Sequence, residues 1–170
     1  MFTIGHSTRT LDELVALLHA HGVTQLADVR TVPKSRRHPH FAADALAQSL
    51  PARGIAYRHF RSLGGLRKPR TDSRNTAWQN ESFRGYADYM QTDEFRRGLD
   101  ELIAWSHPAT AIMCAEAVWW RCHRQLIADA LVARGVDVRH IMSATSAPPH
   151  ALTAFARVDA AGGVTYPGLV

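Results

Sequence analysis

Short apolar runs that suit β-strands alternate with amphipathic helical stretches along the chain, and that alternation restricts the fold more than any other feature. Strand-like runs fall at residues 2–4, 24–29, 55–60, 109–114 and 136–141. A first helix follows Thr10, which stands in capping-box spacing with Glu13, and carries an apolar stripe through Leu11, Leu14, Val15, Leu17 and Leu18 before Gly22. Further helical stretches read at 41–53, 82–90, 92–106 and 121–134, closed at Gly54 and Gly135 where those glycines follow. Strand, helix, strand in repetition predicts an α/β fold: a Rossmann-like parallel sheet of about five strands flanked by helices.

With 170 residues, 46% of them apolar, one domain with a proper core is expected over 1–170. Residues 143–170 read as a peripheral tail holding a short strand at 154–158. Residues 61–80 read as one long loop, and loops of that length are functional or disordered.

The formal charge of +5 is unevenly placed. Ten Lys or Arg residues stand from Arg30 to Arg70 against one acid, Asp44, with His19, His21, His38, His40 and His59 in or just before that half. Such a cluster makes a face attractive to phosphate or nucleic acid. A coding bias towards arginine, 18 of the 20 cations, accounts for it equally well. No apolar run reaches bilayer length, the N-terminus lacks the pattern of a signal peptide, and two cysteines are too few for a disulfide framework. A cytoplasmic protein without a membrane partner is the expectation.

Parallel strands joined by helices send their C-terminal ends to one edge, where ligands of open α/β sheets bind. Those ends deliver His6 and Ser7, Asp28 and Arg30, Arg58 and His59, Cys114 and Glu116, and His140. Groups at five ends of one edge make a site there more credible than any single residue does. Several ordered motifs join them: Gly5-His6-Ser7, Asp28-Val29-Arg30 with Pro33 and Ser35, and Leu63-Gly64-Gly65. Phe83-x-x-Tyr86-Ala87-x-Tyr89-Met90, Cys114-Ala115-Glu116, Cys122-His123-Arg124 and His140-Ile141 follow. On these the chain resembles, over nearly all its length, the bacterial and archaeal family called domain of unknown function 488. The resemblance implies the Rossmann-like fold, supports the same functional edge, and implies an association with nucleic-acid chemistry, base excision included.

The candidate catalytic residues are Asp28, Glu116 and His6. Two carboxylates at neighbouring strand ends can divide acid and base duties, as cleavage of a glycosidic bond requires. Asp28 paired with Arg30 would equally fix a loop, and Glu116 would equally pair with Arg121 or Arg124. The candidate binding residues are Ser7, Arg30, Ser35, Gly64, Gly65, Tyr86, Cys114, Trp119, Cys122, His123 and Arg124. Arg124 offers a forked contact to phosphate, Gly64-Gly65 a close backbone approach, and Trp119 with Trp120 a surface for stacking a base. Packing explains the tryptophans and a turn explains the glycines as well.

A cysteine phosphatase places its arginine six residues after the nucleophile, and six residues after Cys114 stands Trp120. A rhodanese-like loop is disfavoured for the same reason. His6, Cys114, Cys122 and His123 would suffice for a tetrahedral metal site, yet no Cys-x-x-Cys or His-x-x-x-His pair exists, so neither metal nor cofactor is expected. The expected function is a nucleic-acid- or nucleotide-directed enzyme, most concretely a base-excision hydrolase of the N-glycosidic bond, with DNA or a nucleotide as partner. Two alternatives stand beside it: a non-catalytic phosphate-binding module, and a thiol- or metal-dependent enzyme at Cys114 and Cys122.

Overall fold

A computed structural model describes residues 1–169. Five strands form one parallel sheet: β1 (Phe2–Gly5), β2 (Gln25–Asp28), β3 (Ala56–His59), β4 (Thr110–Cys114) and β5 (Arg139–His140), in the order β3-β2-β4-β1-β5. The fold is the expected Rossmann-like α/β architecture. Because β4 enters the sheet between β1 and β2, the C-terminal ends of these three strands stand side by side. That is the crevice where open sheets of this kind receive ligands.

Helix α1 (Leu11–Ala20) begins at the capping box expected of it: the Glu13 N–H donates to Thr10 Oγ1 and the Thr10 N–H to Glu13 Oε2, both at 3.1 Å. With α2 (Ala43–Ser49) it covers one face of the sheet, packing Leu14, Leu18 and Leu46 on Ile4, Leu26, Ala111 and Met113. Helices α3 (Glu81–Tyr89), α4 (Asp93–Trp105) and α5 (Arg124–Ala133) cover the other face, over Ala27, Ile112 and Cys114. Successive residues of β4 therefore alternate between two cores, and burial on both sides explains its unbroken apolar run.

The structure departs from expectation in four places. The helix expected over 41–53 is three pieces, a 3-10 turn at Pro39–Phe41, α2, and a second 3-10 turn at Pro51–Arg53, because Pro51 has no N–H to continue a helix. The helix expected from 121 starts at Arg124, after a 3-10 turn at Trp119–Arg121 and an extended Cys122. Strand β5 keeps two residues, and on its outer edge the chain returns along it: the His140 N–H donates to Pro148 O at 2.9 Å and the His150 N–H to Val138 O at 2.7 Å.

The C-terminal segment is the fourth correction, for it is not peripheral in packing. After the hairpin of β6 (Arg157–Val158) and β7 (Val164–Thr165), Tyr166 is fully buried in the core under α3 and α5. The 61–80 loop is likewise tied down. Asp88 of α3 accepts the Arg70 N–H, the Ser73 hydroxyl and the Asn75 amide at 2.6–2.8 Å. Among the described residues no helix is long and apolar enough to cross a membrane.

Candidate functional site

The turn after β1 can be made only because Gly5 has no side chain: a Cβ there would lie 1.7 Å from the Glu116 carbonyl oxygen. The 115–117 loop thus crosses directly over the end of β1, and the N–H groups of His6 and Ser7 donate to the carbonyls of Cys114 and Ala115 at 2.9 Å. Ser7 is then forced to a φ of 50°, left-handed for a residue that is not glycine. His6 stacks on Phe41 with ring centroids 4.3 Å apart, and its Nδ1–H donates to Ser7 O at 2.9 Å. Burial is the main cause that lowers its pKa to about 4, so the ring is neutral and Nε2 accepts from Arg30 Nη1 at 3.3 Å.

Arg30 is held from several sides. Its Nε and Nη2 donate to the two oxygens of Asp28 at 2.9 and 2.6 Å, and Nη2 donates to Phe41 O at 2.7 Å. Asp28 also accepts the Arg30 backbone N–H at 3.1 Å and the Tyr57 hydroxyl at 2.6 Å. Burial, then the charge of Asp28, push the Tyr57 hydroxyl far above its ordinary value, so Tyr57 remains a donor. Asp28 has no exposed surface. Both its oxygens are taken by Arg30 and Tyr57, so within the fold this carboxylate orients Arg30. His6, whose Nε2 faces Arg30, has the same character.

Arg30 reaches the wall of an open cleft of about 500 Å³ at the ends of β1, β2 and β4. Lys34 and Arg37 line it with Arg30, the Ser7 and Ser35 residues face it, and Glu116 is its one acidic wall. Ser35 Oγ accepts the His38 N–H at 2.9 Å, which fixes the basic loop around the cleft. His6, Ser7, Arg30, Ser35 and Glu116, distant in sequence, are therefore brought together.

The remaining candidates gather on the far side of Glu116. Gly65, Tyr86, Glu116, Cys122 and His123 line a smaller hollow of about 290 Å³. A Cβ on Gly64 would lie 2.7 Å from Thr31 Cα, and one on Gly65 3.1 Å from His123 Nδ1. Both glycines are buried, so they serve close packing of their loop against the Arg30 loop and His123. Tyr86 is buried and donates its hydroxyl to Leu63 O at 2.7 Å. The His123 Nε2–H donates to Val29 O at 2.8 Å, leaving Nδ1 3.5 Å from Cys122 Sγ. Burial lowers the His123 pKa to about 4 and keeps it neutral.

Cys114 and Cys122, eight positions apart, meet with their sulfur atoms paired. Arg124 is not in the open cleft. It is 1% exposed, and donates from Nε to Cys114 Sγ at 3.1 Å, from Nη1 to Thr3 Oγ1 at 3.3 Å and from Nη2 to Glu116 O at 2.5 Å. Burial is the main cause that lowers its pKa to about 10. Behind it runs a buried chain. Thr3 bonds His140 Nδ1 at 2.7 Å, His140 Nε2 bonds His150 Nδ1 at 2.9 Å, and His150 Nε2 bonds Asp129 Oδ1 at 2.8 Å. Trp119 lies flat on His140 at 4.2 Å, so one of its faces is already stacked, while Trp120 is half-exposed.

Sequence reasoning missed Tyr57, Phe41, Thr3, Asp129 and His150. Asp129, an acid amid the apolar residues of α5, was a usable signal; the others carried none. Among the described residues no cluster of three or more His, Cys, Asp or Glu side chains is arranged to hold a metal. No curated protein and no solved structure matches the chain. The pattern described as Domain of unknown function DUF488 matches residues 10–131, a span that includes the Asp28–Arg30 pair, Glu116, both cysteines and Arg124, and the chain belongs to that family.

Proposed function

We propose that the Arg30 cleft holds the phosphate of a nucleotide or nucleic acid. One observation carries this reading: a guanidinium locked by Asp28, Phe41 and His6 stands at a ligand-receiving strand edge beside Lys34 and Arg37. Four of the five guanidinium N–H groups are engaged within the fold, so Arg30 offers an oxyanion one pre-oriented Nη1–H that loses little freedom on binding, and the two exposed cations add long-range attraction. Ser7 and Ser35 supply neutral donors. The cytoplasm, where such ligands are found, is the compartment this reading assigns.

A catalytic version rests on Glu116. It is exposed on the cleft wall and is the one carboxylate there, placed to take a proton from water for attack on an N-glycosidic bond. Asp28, with both oxygens occupied, does not share that duty, which favours binding over base excision as the primary role. Fluorescence titration of a short DNA oligonucleotide carrying a damaged base, with assay of released base, tests both levels. Saturable binding is expected. Release of base by the wild type, abolished in Glu116→Gln with affinity retained, makes the protein a hydrolase. Binding without release makes it a non-catalytic module, and absence of binding at low salt removes the reading altogether.

A further inference from the structure

Among the described residues no carboxylate lies within ion-pair distance of the buried arginine of α5; the Glu116 charge acts on it only from further away, and its direct partners are sulfur, hydroxyl and carbonyl. A guanidinium out of water without an anion is costly, so its surroundings point to the anion it is built to meet. Its Nε–H points at Cys114 Sγ. The Thr3 hydroxyl accepts from Arg124 and donates to His140, which donates to His150, which donates to Asp129. All these protons point away from the guanidinium towards one carboxylate, so Thr3 presents its oxygen to Arg124 and holds the fork in register with the sulfur. Tyr166 and the Thr153 N–H steady Asp129, each at 2.8–2.9 Å.

The second sulfur has a different neighbour. Cys122 lies beside the lone pair of His123 Nδ1, and the Val29 carbonyl fixes that tautomer. A sulfur, a base and a group that orients the base constitute an activated nucleophile. Cys122 and His123 line the 290 Å³ hollow, whereas Cys114 stands behind Cys122. We propose that Cys114 and Cys122 form a thiol–disulfide exchange centre that reduces low-molecular-weight disulfides entering by this hollow.

The reaction balances within the residues present and one substrate disulfide. The Cys122 thiol gives its proton to His123 Nδ1 as its sulfur attacks one sulfur of the disulfide; the S–S bond breaks and the departing thiolate takes that proton. The Cys114 thiolate, its charge met by Arg124, then attacks the Cys122 sulfur. The second thiolate leaves and is protonated from solvent. Two electrons pass from the protein dithiol to the substrate, giving a protein disulfide and two thiols. Burial keeps the His123 ring neutral, which leaves its Nδ1 lone pair available for that proton.

The test uses the full chain, reduced and freed of reductant, with oxidised glutathione as probe. Mass spectrometry after acid quench should show both thiols consumed, two glutathione molecules released per chain and no lasting adduct. Cys114→Ser should stop at a glutathione adduct on Cys122. His123→Gln should slow the reaction about tenfold at neutral pH and leave it unchanged in alkali, where the thiol ionises unaided. Purely structural packing of His123 would not produce that pH-dependent difference. The wild-type stoichiometry requires no variant. Thiols that survive excess oxidised glutathione, or a stable adduct in the wild type, would overturn the proposal.

Discussion

Two buried arginines stand at one sheet edge and are held in opposite ways. Arg30 is clasped by a fully buried carboxylate, a tyrosine-backed pair with both oxygens in use. Arg124, more deeply buried, has sulfur, a hydroxyl and a carbonyl oxygen around it. The first has its charge settled within the fold and keeps a single Nη1–H to offer a ligand. The second has no carboxylate in direct contact, only the more distant Glu116 charge, and stands against the Cys114 sulfur. The contrast teaches that a buried arginine is informative mainly through what does, or does not, neutralise it.

Acid should produce the largest change, because it acts on both regions. His6 lies in the Arg30 region, His140 in the Arg124 region and His123 between them, and burial lowers all three pKa values, to about 4, about 3 and about 4. The unfolded chain therefore binds more protons than the folded one below the ordinary histidine value of about 6.5. Stability should fall as pH drops from about 6.5 towards 4, by up to about 1.4 kcal/mol per pH unit for each histidine. Urea denaturation across that range checks it, and a flat profile would contradict the neutral assignment.

Replacing each arginine by methionine sharpens the comparison directly. Arg30→Met leaves Asp28 buried with its charge unpaired and should cost about 3–5 kcal/mol. Arg124→Met strands no carboxylate and should cost about 1–3 kcal/mol, mainly through lost hydrogen bonds. Equal losses would mean that Arg124 has a stabilising anion after all. At the small end, Lys34→Ala with Arg37→Ala should leave the denaturation midpoint unchanged, since both side chains are exposed.

The strands and helices were legible because their signals are local: two-residue alternation, the Thr10–Glu13 box, a glycine after a helix. The Asp28–Arg30 pair was legible for the same reason, being two residues apart. Local signals ended at Pro51, which divides a helix that the apolar pattern alone would continue. They also ended at β5, whose outer edge is paired by the returning 147–150 segment. The Arg124 chain joins Thr3, Asp129, His140 and His150, residues up to 147 positions apart, and only the topology brings them together. Tyr166 reads as part of a peripheral tail because a single aromatic among glycines and a proline carries no periodicity. The meeting of Cys114 and Cys122 depends on how the 115–121 loop turns back, and their spacing does not announce it.

Measuring how the affinity for a short single-stranded oligonucleotide depends on salt tests the Arg30 cleft most directly. The wild type should show a steep linear fall of log affinity with log salt concentration. Lys34→Ala with Arg37→Ala should flatten that slope by about 1.4, roughly 0.7 for each phosphate contact removed. Binding whose salt slope is the same in the wild type and the double variant would place the phosphate elsewhere and contradict the assignment.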